Sequence, residues 1–354
     1  MEENRALKVS VFGARGYTGL ETCRLLLNHP LISSLQLVSS DTSWALEHDL
    51  LEARRTSVAI SYITREEFSK STPDRFADCL KDTFVFLACS ATDAAELTPI
   101  LLERGAKVID LSGAHRLNQR EAQSFYQIKH KSSFFWDERN YGLVPHQKVK
   151  GPLVSNPGCF VSSILMALIP LLHNKVIRED QIIIDSKSGT SGAGRSPKDI
   201  TNFSEISDGM IPYKIGHHQH LPEIIRYANF FTEAKIEPRF TTTLIPIKRG
   251  ILSTIYTELR SEMALQDVIE AFAHYYKDYP FVTVYGLGTH HKEDHKLALR
   301  NVLHTNQTQI TLHLEGKKLT IFSMIDNLMK GAAGQALENF NSLLNIPLTT
   351  GFTV

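Results

Sequence analysis

The sequence predicts an α/β chain, a Rossmann-type doubly wound sheet joined to a second α+β domain with a mixed sheet. Three observations carry that reading. A short apolar strand near the N-terminus runs into a glycine turn and then a helix, the opening of a dinucleotide-binding sheet. Short apolar runs then alternate with helical stretches, as parallel strands and their crossover helices do. Beyond Cys159 the texture changes to strand-like runs with one helical stretch among them, which suits a mixed sheet. At 354 residues the chain is long enough to bury two cores. No repeat or Pro/Ser-rich linker separates them, so the domains are expected to exchange chain segments. The first is placed at 1–158 with 328–354, the second at 159–327.

The elements follow in order. Residues 7–12 (LKVSVF) form the first strand, and Gly13-Ala-Arg-Gly16-Tyr-Thr-Gly19 turns into a helix running to about Asn28, closed by Pro30. Glycines at GxxGxxG spacing let the chain turn tightly, let a pyrophosphate lie against backbone N–H groups, and let helix and sheet approach. That turn supplies the cofactor candidates Gly13, Arg15, Gly16, Tyr17, Thr18 and Gly19; an ordinary glycine-rich βα loop is the plainer alternative. The second strand, 35–38, ends in Ser39-Ser40-Asp41-Thr42. Small hydroxyl residues at this point suit the 2′-phosphate of NADP, whereas an acid suits the ribose hydroxyls of NAD. With two serines before the acid, Ser39 and Ser40 point to NADP.

Residues 58–63, 84–88 and 107–111 read as further strands, with a helix over 91–104 stopped by Gly105. Loops at the carboxyl ends of such strands bind ligands. Ser90 is there either a helix N-cap or a cofactor contact. The loop Ser112-Gly-Ala-His-Arg116 follows the fifth run, and Arg116 is either a solvated loop charge or a guanidinium for a carboxylate or phosphate.

Ser155-Asn156-Pro157-Gly158-Cys159 then hands an extended segment to an apolar helix over 160–172 (FVSSILMALIPLL). A thiol in a helix's first turn meets unpaired N–H groups and the positive end of the dipole, which favour the nucleophilic thiolate. A small buried hydrophobe is the commoner role for a cysteine. Pro157 and Gly158 favour the nucleophile, since a rigid turn and a missing side chain leave room for a substrate carbonyl. A loop at 188–195 (SGTSGAGR) reads as an anion cradle or a surface turn. The run His217-His218-Gln219-His220 lacks ligand partners at metal spacing, so proton transfer is a better reading than metal binding, and surface histidines ahead of a helix near Pro222 are the plainer alternative, for His217 above all. Strands are expected at 182–185, 241–246, 253–259, 281–284, 309–314 and 318–325, with a helix over 265–276. The end, 326–335 (DNLMKGAAGQ), is a helix start of small residues.

Composition narrows the class. Lys plus Arg equals Asp plus Glu at 38 each, so no field favours nucleic acid or an anionic membrane. Cys23, Cys79, Cys89 and Cys159 form no CxxC pair, which fits free thiols in a reducing compartment, the cytoplasm. The first strand begins within a few residues of Met1, so no leader peptide is expected, and no apolar run reaches the length of a membrane span.

With these residues in view, the chain resembles the N-acetyl-γ-glutamyl-phosphate reductases, the aldehyde-forming enzymes of arginine biosynthesis, over nearly its full length. The motifs that carry the resemblance are Gly13-Ala-Arg-Gly-Tyr-Thr-Gly19, Asp110-Leu-Ser-Gly-Ala-His-Arg-Leu117, Tyr141-Gly-Leu143, Ser155-Asn-Pro-Gly-Cys159, Gly189-Thr-Ser-Gly-Ala-Gly-Arg195, His218-Gln-His-Leu-Pro-Glu-Ile224, Arg249-Gly-Ile-Leu252 and Asp326-Asn-Leu-Met-Lys-Gly-Ala-Ala-Gly-Gln335. The resemblance implies an NADP-binding Rossmann domain, a central domain beginning at the cysteine, a last helix returning to the first domain, and a homodimer or tetramer. It implies a small acyl phosphate as substrate, Cys159 as the thioester-forming nucleophile, His220 as the proton-transfer group and His218 as a substrate or orienting partner. Ser112, Arg116 and Asn156 become substrate contacts, and Ser191, Gly192, Asn327 and Gly334 join the cofactor site. No metal is implied.

The chain departs from that pattern at four places. His115 stands where an aromatic residue is usual, Gln219 where an arginine separates the two histidines, and Val144-Pro145-His146 where an acid follows Tyr-Gly-Leu-Pro. The loop after the second strand lacks the usual arginine. Related acyl-phosphate reductases of the aspartate-semialdehyde or aminoadipyl-phosphate type, and a nucleotide-sensing module without turnover, are the rival readings.

Overall fold

The computed structural model describes residues 7–39, 43–70, 83–128, 140–287 and 297–352. Ser40, Asp41 and Cys79 lie outside the described residues. The chain divides into two compact units, Met1–Pro157 with Ala332–Val354, and Gly158–Gly331. The sequence had suggested boundaries after 158 and before 328. The structure draws them one residue earlier and four residues later, so the first falls inside the Asn156-Pro157-Gly158-Cys159 motif.

The first unit holds a sheet in the order β3-β2-β1-β4-β5-β7-β6, parallel at every pairing. Its strands are β1 (Leu7–Phe12), β2 (Ile32–Ser39), β3 (Ala59–Thr64), β4 (Phe84–Leu87), β5 (Lys107–Asp110), β6 (Asn140–Tyr141) and β7 (Leu153–Ser155). The doubly wound architecture read from the sequence is therefore present. Helices α1 (Tyr17–Leu27), α2 (Arg65–Lys70), α3 (Ala91–Glu103) and α4 (Gln119–Tyr126) fill the crossovers. Strand β4 is buried along its whole length, which is why its sequence, FVFL, is unbroken hydrocarbon. Its residues Val85 and Leu87 pack with Leu97 and Leu101 of α3 and with Val108 of β5. The last helix, α9 (Gly334–Leu344), belongs to this unit, and the Phe340 ring meets Phe84 edge-on at 4.8 Å between centroids.

The glycine turn is built on close approach. Gly13 has φ +77°, and a Cβ there would lie 2.4 Å from the Ala88 carbonyl oxygen. A Cβ at Gly19 would lie 2.2 Å from the Gly13 carbonyl oxygen. The helix can seat against the strand end only because neither position carries a side chain.

The second unit holds a mixed sheet in the order β12-β13-β14-β11-β8-β10-β9. Its strands are β8 (Ile183–Ser188), β9 (Ile211–Pro212), β10 (Arg239–Leu244), β11 (Ile251–Glu258), β12 (Val282–Gly286), β13 (Thr308–Glu315) and β14 (Lys318–Ile325). Pairs β8/β10 and β12/β13 run parallel and the others antiparallel. Helices α5 (Cys159–His173), α6 (Phe203–Ile206), α7 (His220–Thr232) and α8 (Leu265–Tyr275) complete it. Two polar features of the apolar helix α5 are resolved by packing. Ser163 shares hydrogen bonds with Ser253 of β11 and Ser323 of β14, at 3.0 and 3.3 Å, so small hydroxyls meet one another where helix and sheet touch. Pro170 removes the N–H that would have bonded the Met166 carbonyl, and the Tyr276 hydroxyl donates to that carbonyl at 2.6 Å instead.

Candidate active site

Cys159 is the first residue of α5 and is half-buried. The first bond inside that helix runs from the Ser162 N–H to the Gly158 carbonyl, so the turn before it offers N–H groups with no intrahelical acceptor. Of the three described thiols only Cys159 opens a helix. Burial pushes the Cys23 thiol up, and burial followed by the Asp110 and Asp93 carboxylates pushes Cys89 up to about 12. Both are thereby removed as nucleophiles at neutral pH.

The space at Gly158 is not open for a substrate carbonyl, as the sequence had suggested. It is filled by an imidazole, since a Cβ at Gly158 would lie 2.5 Å from His220 Nε2. His220 opens α7 and is buried, and three residues on, on the same helix, the fully buried Glu223 accepts the Gly158 N–H at 2.9 Å. One helix thus supplies both the ring beside the thiol's turn and the carboxylate that fixes that turn. On the other flank, a Cβ at Gly331 would lie 2.9 Å from Cys159 Cβ.

His218 Nδ1 accepts the His220 backbone N–H at 3.1 Å, which leaves that nitrogen without a proton of its own. Burial first, and then the charges of Lys214 and His217, push His218 down to about 3. The ring therefore stays neutral near pH 7 and orients the start of α7, while His220 is left as the proton-transfer candidate. Phe160 walls both rings, at 5.4 Å from His218 and 5.9 Å from His220 between centroids.

A cavity of about 390 Å³ collects these groups. Cys159, His218 and His220 line it, with Gly192 from the short 3₁₀ turn Thr190–Ala193. Tyr213, Lys198, Lys214 and Gln219 line it as well. Burial, followed by the neighbouring Cys159, pushes the Tyr213 phenol up and keeps it protonated. Sequence reasoning passed over Tyr213, Lys198, Lys214 and Glu223. The available signal was position: Tyr213 and Lys214 stand just ahead of the histidine run, and Glu223 lies one turn beyond it.

Several predicted contacts are committed to the protein itself. Asn156 Nδ2 donates to the Ala332 carbonyl at 3.1 Å, and its Oδ1 accepts from Asn339 Nδ2 at 2.9 Å, so its amide fastens the last helix within the first unit. Arg116 is buried and donates to the Asn156 and Leu111 carbonyls at 2.8 and 2.7 Å, which makes it a clamp on the chain before the cysteine. Ser112 Oγ accepts the Ala114 N–H at 3.1 Å in a local turn. In the second unit, Asn327 Oδ1 accepts the Gly250 N–H at 2.6 Å and its Nδ2 donates to Ser191 Oγ at 3.0 Å, tying two loops together. Ser90 is the N-cap of α3, accepting the Asp93 N–H at 3.1 Å. Each of these polar groups finds a partner because it is buried or ends a helix.

His115 forms a buried pair with Asp110, Nδ1 to Oδ2 at 2.7 Å. Burial acts to raise the Asp110 pKa, but the His115 hydrogen bond and charge, with Ser112, outweigh it and hold the carboxyl below its ordinary value.

The glycine turn of the first unit lines a second cavity, of about 190 Å³, with Gly13, Ala14, Arg15 and Gly16 on one part and Val38, Ser39, Arg65, Cys89 and Asp93 on another. Tyr17, Thr18 and Gly19 form the first turn of α1 behind it. Backbone without side chains at Gly13 and Gly16, a helix N-terminus and two arginines fit a pyrophosphate and its nucleoside. Arg65, at the start of α2, pairs with Asp93 and with Glu96. Gly334 lies buried at the start of α9 in the same unit. Among the described residues no group of three metal-ligating side chains occurs, and no helix is long and apolar enough to cross a membrane.

Comparison with known proteins agrees with this construction. Residues 8–157 match the family described as semialdehyde dehydrogenase, NAD binding domain, and residues 159–327 match semialdehyde dehydrogenase, dimerisation domain. Among solved structures, aspartate semialdehyde dehydrogenase II of Vibrio cholerae is similar with a TM-score of 0.71 at 15% identity, covering 96% of this chain and 98% of that one. A probable aspartate-semialdehyde dehydrogenase of Pseudomonas aeruginosa follows with a TM-score of 0.67 at 16% identity, over 96% and 98%. These likenesses establish the fold. Curated relatives are closer in sequence: N-acetyl-gamma-glutamyl-phosphate reductases of Desulfotalea psychrophila, Bacillus cytotoxicus and Streptococcus gordonii are 36%, 35% and 34% identical, each over 98% of both chains. A thiol at a helix mouth, a glycine-turn sheet and identity of this extent lead to one conclusion: the chain belongs to the N-acetyl-γ-glutamyl-phosphate reductase family of the semialdehyde dehydrogenases.

Proposed function

We propose that this chain reduces N-acetyl-L-glutamyl 5-phosphate to N-acetyl-L-glutamate 5-semialdehyde and phosphate, as a step of arginine biosynthesis, with NADPH as reductant and a thioester on Cys159 as intermediate. The observation that carries the reading is Cys159 at the first turn of α5, in a cavity shared with His220, whose ring occupies the space that Gly158 leaves. The Cys159 thiolate attacks the acyl carbon, the sulfur–carbon bond forms, and the carbon–oxygen bond to phosphate breaks. When bound, the nicotinamide supplies the hydride that turns the acyl group into an aldehyde. N–H groups at the start of α5 steady the negative oxygen, an arrangement whose loss of one donor costs roughly 3–4 kcal/mol elsewhere. His220 lends a proton to that oxygen and takes it back as the carbon–sulfur bond breaks and the thiolate returns.

Gly13, Arg15, Gly16, Tyr17, Thr18 and Gly19 hold the pyrophosphate in this scheme, with Gly334 in the same unit. Support for NADP over NAD comes from the second cavity, where Ser39 and Arg65 stand at the carboxyl end of β2 and the start of α2. Arg65 brings the guanidinium that the loop after β2 lacks. A homo-oligomer built on the second unit is part of the same reading. Its support is the match to a dimerisation domain and the paired residues Ile183 and Tyr256, each 46% exposed on adjacent strands. Cytoplasmic placement rests on the free thiols.

Aldehyde formation from N-acetylglutamyl phosphate, run with NADPH and NADH side by side and with aspartyl phosphate as a second substrate, tests the proposal. Turnover with N-acetylglutamyl phosphate and NADPH is expected. Preference for aspartyl phosphate would reassign the substrate, and preference for NADH would reassign the cofactor.

A further inference from the structure

The Cys159 cavity carries two cations for which the chemistry at the thiol has no use. Lys198 and Lys214 both line it, and among the described residues that line it none is acidic. Three other cations of the second unit take carboxylates as partners: Lys187 pairs with Asp185, Arg178 with Asp180 and Arg260 with Glu179. Lys198 and Lys214 instead donate to neutral carbonyls, Lys198 to Ala193 and Lys214 to Gln219 Oε1 at 2.6 Å. Lys214 adopts φ +49°, a left-handed conformation that residues other than glycine rarely take, so the surrounding chain holds it in place against that preference. Both lysines line one cavity, and burial followed by the Lys198 charge pushes the Lys214 pKa down. A cavity with two cations and no carboxylate has a positive potential that an oxyanion would neutralise.

We propose that Lys214, its ammonium positioned by Gln219 and accompanied by Lys198, is the seat of an anionic oxygen group of the substrate. The inference rests on the acyl-phosphate reading above, and it names what recognises the substrate's charge. Gln219 is central to it. An arginine at this position would offer Lys214 no acceptor and would add a third cation. A neutral amide holds the lysine without spending its charge. The substrate has two anions of this chemistry, the departing phosphate and the carboxylate on its α-carbon.

Protection of Cys159 against iodoacetamide, followed by mass spectrometry of the Cys159 peptide, tests the proposal without requiring turnover. Inorganic phosphate serves as the probe for the leaving group. N-acetylnorvaline serves for the other, since it keeps the α-carboxylate and the side-chain length but has no second acid. At least one probe is expected to protect the unmodified chain. Lys214→Met should raise that probe's half-protecting concentration about tenfold or more, as loss of a charged hydrogen bond implies, and Lys214→Arg should restore most of it. Gln219→Glu keeps an acceptor for Lys214 while adding a negative charge, so it should weaken protection in the same direction. Loss confined to phosphate assigns the leaving group, and loss confined to N-acetylnorvaline assigns the carboxylate. Absence of protection in the unmodified chain, or unchanged protection by both probes in Lys214→Met and Gln219→Glu, overturns the proposal. Lys214-dependent protection in a chain that does not reduce N-acetylglutamyl phosphate would overturn the proposed function and leave this inference standing.

Discussion

The two cavities are made of different material. Around Gly13 and Gly19 the site is made of backbone, where positions without side chains let a helix, a strand end and a ligand come together. Around Cys159 it is made of side chains from chain segments up to about 60 residues apart, a thiol, two imidazoles, a phenol and two ammonium groups. Backbone sites bind many nucleotides in the same way, and their discrimination rests on a few peripheral side chains. Side-chain sites perform one reaction, and each group has a distinct task. Replacing a side chain at the first should therefore change which cofactor is preferred, and at the second whether turnover occurs.

The sharpest test of that difference is Cys159→Ser. Reduction of the acyl phosphate should fall by roughly 10⁴-fold or more, as losses of a covalent nucleophile do elsewhere. Cofactor binding, measured by quenching of protein fluorescence, should be unchanged, because the glycine turn lies in a separate compact unit. Retention of most activity would remove the thioester from the mechanism. His220→Asn comes next, with an expected loss of about 10²–10⁴-fold in kcat, the range for a general acid–base group. Its pH–rate profile should differ from that of wild type; an unchanged profile would move the proton-transfer role to another group. A smaller effect is expected at the first cavity. Arg65→Ala should weaken NADPH binding by about tenfold to a hundredfold, as loss of one charged hydrogen-bonding partner does, and leave NADH binding and kcat nearly unaltered. Equal weakening of both cofactors would show that Arg65 shapes the cavity without reading the phosphate.

The same contrast explains what could be read in advance. Strand β14 was expected at 318–325 and is found as Lys318–Ile325, because alternation and flanking polar residues mark both ends. The two-residue strands Asn140–Tyr141 and Ile211–Pro212 were missed, since they exist only through the partners they pair with. The run 329–333 was read as the start of a helix and forms a π-helical turn before α9. Small residues at Gly331, Ala332 and Ala333 permit either winding, so local pattern cannot choose between them. At the side-chain site, Cys159 and the histidines announce themselves by residue type. Lys214 and Glu223 do not, because their meaning comes from a carbonyl five residues away and an N–H 65 residues away. Asn156 and Arg116 show the other side of this: polar residues in a motif that read as ligand contacts are also internal ties in the fold, which the sequence does not announce.

The smallest expected effect concerns stability, and it separates the two histidines of the side-chain site. His218 is held near pKa 3 in the fold by burial and by the charges of Lys214 and His217, while an unfolded histidine titrates near 6.5. Between those values the unfolded chain binds the extra proton and the folded chain refuses it, so stability falls as pH is lowered from about 6.5 toward about 3. Above about 6.5 both states leave the ring neutral, and His218 contributes no slope. His218→Gln keeps an acceptor for the His220 N–H but cannot take up a proton. Urea midpoints at pH 7 should therefore differ little between wild type and His218→Gln, and the loss of stability on going to pH 5 should be smaller in the variant, by about 1–2 kcal/mol at most. A pH response identical in the two proteins would mean that His218 titrates normally. It would then be a second proton carrier beside the thiol, and the assignment of that role to His220 alone would fall with it.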